Sequence, residues 1–182
     1  SNNTASGYGA LYSNTTGSYN SASGMVALYS NTTGNYNSAS GYQALYSNTT
    51  GLSNTASGFQ ALYANTTGSY NSALGYRALY SNTTGIFNSA SGYGALYANT
   101  TGSQNTALGY SAEGSSEIAT NQTVIGYDAT GQADNSVTLG NASVTAVYMG
   151  QDSGATVYAG GLNILGTAVT ATGAELNYVA GV

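Results

Sequence analysis

Apolar, aromatic and small residues recur along this chain with a period of seventeen residues. An aromatic residue follows the marker glycine of each repeat in every case except Met25, and alanine comes two residues later. The marker glycines, which the sequence predicts to form a structural ladder, are Gly7, Gly24, Gly41, Gly58, Gly75, Gly92, Gly109 and Gly126. A fixed period of this length is typical of a solenoid, in which each repeat forms one coil and stacks on the next.

Seventeen residues span at most about 56–60 Å when extended, which is enough for two short strands and two turns but not for a helical hairpin. The pattern predicts a strand over Thr4–Tyr12 and a turn over Asn14–Gly17, where Asn and Gly favour turn geometry. After Gly126 the next matching glycine is Gly140, fourteen residues on. The sequence therefore predicts an all-β fold, a parallel β-solenoid (β-roll) whose seventeen-residue coils shorten to fourteen.

Strand alternation predicts which side of each coil is buried. The position two residues after the marker glycine is variable, so it is predicted to face solvent; it holds Gly9, Val26, Gln43, Gln60, Arg77, Gly94, Ser111 and Asp128. The interior is then the face of Tyr8, Ala10 and Tyr12, shared with the residue before each glycine, which becomes Leu74, Leu108, Ile125 and Leu139. The same alternation predicts that Leu11, Leu28, Leu45, Leu62, Leu79 and Leu96 face outward, where a neighbouring chain covers them or the strand bends.

The repeat divides the chain into three predicted segments. Residues 1–112 hold the seventeen-residue coils, 113–150 the shorter coils and 151–182 a C-terminal connector. Coils this thin bury little apolar surface, and the chain has no cysteine to staple them. We therefore expect a homotrimer, in which three chains cover one another's apolar sides.

Charge excludes several functions. Arg77 is the only basic residue, and all six acidic residues lie after residue 112, so residues 1–112 carry +1 and the remainder −6. One cation cannot neutralise a phosphate backbone or an anionic bilayer, so neither nucleic-acid binding nor membrane binding is expected. There is also no run of about 20 apolar residues to insert into a membrane.

No constellation of catalytic groups is present. The chain has no His, Lys or Cys, and residues 1–112 contain no carboxylate, so we expect no enzyme activity and no cofactor. Glu113 and Glu117 are predicted to lie in a solvated link between repeats. Asp128 and Asp134 share one coil and leave open a weak cation site, although isolated acids on turns are the simpler interpretation.

Two segments resemble known families. The run Thr123 to Gly131 (TVIGYDATG), followed by Asn135 to Ser143 (NSVTLGNAS), resembles the head repeat of trimeric autotransporter adhesins, a left-handed parallel β-roll. The longer units with the Asn-Thr-Thr-Gly turn resemble repeats of bacteriophage tail fibres. Residues 174–182 (AELNYVAGV) are similar to a segment of those fibres that has Asp where this chain has Ala180. No coiled-coil stalk, membrane anchor or chaperone domain is apparent, so we expect attachment and assembly to depend on other segments.

The resemblance implies a structural protein of a phage tail fibre, either its shaft or a receptor-binding region that contacts the host surface. Its location would be the virion, or the extracellular space if the chain is instead a secreted bacterial adhesin or filament subunit. Regular Thr and Asn ladders leave an ice-binding protein as a third alternative. The expected partners are two further copies of the chain and a cell-surface glycan or host receptor.

The best candidate contacts are the aromatic residues beyond each Asn-Thr-Thr-Gly turn. This column is less uniform than the other two tyrosine columns, which favours an exposed position, and exposed rings can stack on sugars. Its aromatic members are Tyr19, Tyr36, Tyr70 and Phe87. The turns also match the N-glycosylation pattern at Asn14, Asn31, Asn48, Asn65, Asn82 and Asn99, although turn formation already explains those residues.

Overall fold

The computed structural model describes residues 2–147, 162–164 and 167–169. The chain divides into two units, Ser1–Thr145 and Ala146–Val182. In the second unit, Leu162–Ile164 pairs antiparallel with Thr167–Val169. The rest of the predicted connector lies outside the described residues. Among those residues no helix is long and apolar enough to cross a membrane.

The first unit is a parallel β-solenoid, as predicted. Each coil contributes one short strand to a single nine-stranded sheet, and the strands follow one another in chain order. The strands are β1 (Thr4–Ser6), β2 (Ser21–Ser23), β3 (Ser38–Ser40), β4 (Thr55–Ser57), β5 (Ser72–Leu74), β6 (Ser89–Ser91), β7 (Thr106–Leu108), β8 (Gln122–Ile125) and β9 (Ser136–Leu139). The register advances by seventeen residues from Thr4 to Ser21, and by fourteen at the last step, from Gln122 to Ser136.

The predicted strand over Thr4–Tyr12 is wrong beyond Ser6. The marker glycines have φ between +133° and +139°, a region that other residues rarely adopt, and they end each strand. The chain then passes through two further left-handed residues, such as Val26 at φ +53° and Leu28 at φ +50°. Hydrogen bonds between coils continue through this segment, for example from Leu28 N to Ala44 O at 3.0 Å. Each coil therefore consists mostly of turns, and backbone hydrogen bonds link it to the neighbouring coils in the turns as well as in the strand.

These left-handed residues reverse the predicted interior. Two residues adjacent in sequence, Ala27 and Leu28, both point inward, which period-two alternation does not allow. From Leu28 to Leu96 the leucine column is at most 1% exposed, whereas Tyr8 is 82% and Tyr12 72% exposed. The core is built from that leucine column, the central alanine of β2 to β7, Val124 of β8 and the alanine before each leucine.

The residue before each marker glycine also differs from the prediction. Leu74 and Leu108 are exposed by 56% and 52%, and Ile125 and Leu139 are exposed as well. They lie at the ends of β5, β7, β8 and β9, where the central alanine or its equivalent faces the core and its neighbours face outward. Apolar side chains therefore accumulate on the outer face of the sheet towards its C-terminal end.

Two columns of buried asparagine complete the interior. In the first, Asn31 Nδ2 donates to Asn14 Oδ1 at 2.8 Å and to its own turn at Gly34 O at 3.1 Å. In the second, Asn37 N donates to Asn20 Oδ1 at 2.9 Å. From Asn31 onward the first column is buried, so the acceptor asparagines of these glycosylation motifs lie inside the solenoid.

Candidate ligand-binding surface

Three columns of stacked aromatic rings run along the outside of the solenoid. The first column follows the marker glycines and comprises Tyr8, Tyr42, Phe59, Tyr76, Tyr93, Tyr110 and Tyr127, with Met25 in the second coil. The second column comprises Tyr12, Tyr29, Tyr46, Tyr63, Tyr80 and Tyr97, and the third Tyr19, Tyr36, Tyr70 and Phe87. Neighbouring rings of the first column approach as closely as 4.7 Å between centroids, and those of the second are up to 5.4 Å apart. Stacking of this kind covers the ring faces and leaves the edges and phenol groups exposed.

The third column differs because it is interrupted. Tyr19 stacks on Tyr36 at 5.1 Å and Tyr70 on Phe87 at 5.0 Å, but Ser53 separates the two pairs. Gln104 follows Phe87, and Asn2 occupies the equivalent position before Tyr19. Each of these four rings therefore has one face that no aromatic neighbour in its column covers. All four are more than half exposed, at 51–62%.

A strip of partly buried floor residues separates the first column from the second, and we call this strip the groove. At its N-terminal end it encloses a cavity of about 360 Å³. That part is lined by Tyr8, Gly9, Tyr12, Val26, Tyr29 and Tyr46. Sequence reasoning missed this groove because it placed both tyrosine columns inside the coil. The signal that could have located it is the variable column between them, which forms the groove floor.

The sequence predicted that the groove floor faces solvent. In the structure the floor is instead partly buried, and several of its side chains are hydrogen-bonded. Gln60 Nε2 donates to Gln43 Oε1 at 2.7 Å, and Arg77 Nε donates to Gln60 Oε1 at 2.8 Å. The Arg77 guanidinium also lies 5.3 Å from the ring centroid of Tyr76 and 5.2 Å from that of Tyr80. These contacts fix the chain's single cation across both walls of the groove.

The acidic residues are placed differently from one another. Asp134 Oδ1 accepts hydrogen bonds from Thr120 N at 2.8 Å and Gln122 Nε2 at 3.2 Å, while Asp128 is exposed. Within residues 2–147 and the two short C-terminal strands, no group of three His, Cys, Asp or Glu residues could hold a metal ion. The weak cation site that Asp128 and Asp134 suggested therefore has no third acidic ligand in this part of the chain.

The sequence predicted that Glu113 lies in a solvated link, and this prediction is wrong. Glu113 occupies the position after Leu96 in the leucine column, and its carboxylate accepts a hydrogen bond from Ala98 N at 3.2 Å. Burial raises the pKa of the Glu113 carboxyl from 4.5 to about 7, against the opposing effect of the Ala98 and Tyr97 backbone groups. Glu113 thus closes the end of the leucine core, whereas Glu117 is exposed.

No family model matches this chain, and comparisons with curated proteins and with solved structures give no match either. The outer surface of the solenoid presents repeated aromatic groups, hydroxyls and amides, with a single cation in the groove.

Proposed function

We propose that this chain is a structural segment of a bacteriophage tail fibre, forming its shaft or a receptor-binding region that contacts the host surface. The proposal rests on the interrupted third column, whose uncovered ring faces lie in several coils of a continuous, hydrogen-bonded solenoid. A stack in which every coil is bonded to the next suits a protein that must span a distance and present repeated contacts.

The proposal includes a homotrimer. Leu74, Leu108, Ile125 and Leu139 form an exposed apolar column, and Leu74 and Leu108 line a shallow groove of about 280 Å³ on the outer face of the sheet. Exposed apolar side chains grouped on one face favour association, although Ser91 interrupts the column between Leu74 and Leu108. Because residues 1–112 carry a single charge, identical chains can approach without appreciable repulsion. Two further copies around a common axis would cover the column in the same register on every chain.

The contacts with the host are proposed to be glycans stacked on Tyr19, Tyr36, Tyr70 and Phe87. A pyranose ring presents C–H groups that pack on an aromatic face, and these four rings each have one face uncovered within the column. Binding at one ring is weak, but linked sites along three chains convert later contacts into intramolecular ones. Since none of these residues is charged, the contacts should be insensitive to salt.

A glycan array and a whole-cell binding assay test this proposal with two variant sets. In the first set all four rings are replaced by serine, which the fold already accepts at Ser53 with φ +54°. In the control set Tyr42 and Phe59 are replaced by methionine, as in Met25. We expect the serine set to lose at least about tenfold in apparent affinity and the methionine set to bind normally. Undiminished binding by the serine set, or binding of cells by a separate tip protein alone, would show that this chain is only a spacer.

A secreted bacterial adhesin or filament subunit is the second candidate. It is favoured by the fourteen-residue step between β8 and β9, which matches the shorter head-type repeat. Gold labelling of virions and of bacterial surfaces distinguishes the two, because a tail fibre labels the virion and an adhesin labels the cell.

A further inference from the structure

Arg77 is the only basic side chain in the protein, and the structure gives it no counter-ion among the described residues. Its Nε group is committed to Gln60 Oε1, and its guanidinium plane is held between Tyr76 and Tyr80. The two terminal amino groups make no hydrogen bond to any part of the chain that the structure describes. A guanidinium that is oriented in advance and half-buried is well suited to a planar anion.

The floor position next to this cation carries no side chain. In the next coil that position is Gly94, whose backbone is buried, and a Cβ added there would meet only Ser111 Oγ, at a contact distance of 3.7 Å. The equivalent positions of earlier coils hold the long side chains of Gln43 and Gln60, so the groove is deeper at Gly94 than in those coils. Tyr93 and Tyr97 form the walls at this level, and both are partly exposed.

We propose that the groove at Arg77 and Gly94 binds a sugar that bears a carboxylate, such as a uronic or sialic acid. The carboxylate pairs with the terminal amino groups of Arg77, and the pyranose ring packs against the exposed parts of Tyr93 and Tyr97, above the buried Gly94. A single cation cannot hold a polyphosphate, which excludes nucleic acid. The hydroxyl-bearing walls favour a polyol over a simple organic acid.

This site is separate from the proposed glycan contacts of the third column and does not depend on them. Those contacts are uncharged, whereas pairing at Arg77 is electrostatic and weakens as salt increases. Salt dependence therefore distinguishes the two kinds of binding in the same protein.

Nuclear magnetic resonance of the full chain tests the site directly, because one arginine gives one Nε–H resonance. The probes are methyl glucuronide, methyl glucoside and acetate. We expect methyl glucuronide to shift the Arg77 and Gly94 signals and to bind at least about tenfold more tightly than either of the others. Equal binding by methyl glucoside would remove the role of the cation, and equal binding by acetate would remove the role of the sugar ring.

Two variants complete the test. Arg77→Gln extends the existing column of Gln43 and Gln60, so the fold is retained, and it should abolish the preference for glucuronide. Gly94→Gln fills the floor at a position where Gln43 and Gln60 both adopt φ +55°, and it should prevent binding while Arg77 remains. Val26→Gln, which places the same side chain at a floor position far from Arg77, is the control and should bind normally. Glucuronide preference that survives in Arg77→Gln or Gly94→Gln, with the melting temperature unchanged, would overturn the assignment.

Discussion

The side-chain amide of Asn65 donates a hydrogen bond to the side-chain oxygen of Asn48 at 2.8 Å, and both residues are fully buried. Asn65 Nδ2 also donates to Gly68 O at 2.9 Å, so one amide group joins two coils and closes its own turn. The same arrangement recurs from Asn14 to Asn99. Asn99 Oδ1, the last oxygen of the column, is buried without a partner among the described residues, because Ser116 occupies the next position.

Replacing Asn65 by alanine should destabilise the solenoid by about 2–4 kcal/mol, because it leaves the buried Asn48 Oδ1 without a donor and removes the acceptor of the Asn82 amide. Thr67→Ala, in the same turn but exposed, should change the stability by no more than about 0.5 kcal/mol. Urea unfolding followed by circular dichroism measures both variants. Equal midpoints would mean that the asparagine column does not hold the coils together.

The marker glycines and the floor glycines have different requirements. Gly58 has φ +139°, and an added Cβ would overlap the carbonyl oxygen of Gly75 in the next coil. Gly94 has φ +62°, an added Cβ would meet only Ser111 Oγ at contact distance, and Val26 occupies the equivalent position at φ +53°. We therefore expect Gly58→Val to lower the stability by at least about 3 kcal/mol, and Gly94→Val by about 1–2 kcal/mol through its left-handed backbone alone. Thermal melting decides between them, and similar melting temperatures would contradict the close approach of the glycine backbones.

Neighbouring residues Leu62 and Tyr63 test which side of the coil is buried. Leu62 is fully buried, whereas Tyr63 is half-buried on the outside and stacks on Tyr46 and Tyr80. Leu62→Ala should cost about 3 kcal/mol through lost burial and the cavity left behind. Tyr63→Ala should cost about 1 kcal/mol, the contribution of its stacking. A larger loss for Tyr63→Ala in denaturant unfolding would restore the interior that strand alternation predicts.

Stability should depend on pH through Glu113. Its pKa is about 7 in the folded chain and 4.5 when exposed, so between these values the folded state binds more protons than the unfolded state. Stability therefore falls as pH rises from about 4.5 to 7. Partial solvent screening limits the loss to about 2 kcal/mol. Melting temperatures at pH 5 and pH 8 should differ by several degrees in the wild type and much less in Glu113→Gln. An equal difference in both proteins would assign the effect to another group.

The sequence was sufficient to predict the coil period and the parallel stack, because a glycine at one position in each repeat requires every coil to be equivalent. It was not sufficient to predict the interior. Val26 and Leu28 adopt left-handed backbone angles that are unfavourable for branched and bulky residues, and nothing local in the sequence signals them. One available signal was overlooked: the leucine column is invariant in six coils while the floor position between the tyrosines varies. Uniformity across coils was a better guide to burial than alternation within one coil.

The exposed apolar column gives the trimer a specific test. Leu74 and Leu108 stand where other coils have Ser40, Ser57 and Ser91, so serine is compatible with the strand at these positions. The double variant Leu74→Ser, Leu108→Ser should keep the solenoid but weaken association. A variant that associates as strongly as the wild type would exclude this face as the contact between chains.

Sedimentation equilibrium of the purified chain tests the central proposal, that this solenoid is one of three identical chains in an attachment fibre. The account predicts a single species at three times the chain mass of 18.2 kDa, with its β-sheet circular dichroism intact. A folded monomer that stays at 18.2 kDa across the accessible concentration range would contradict it.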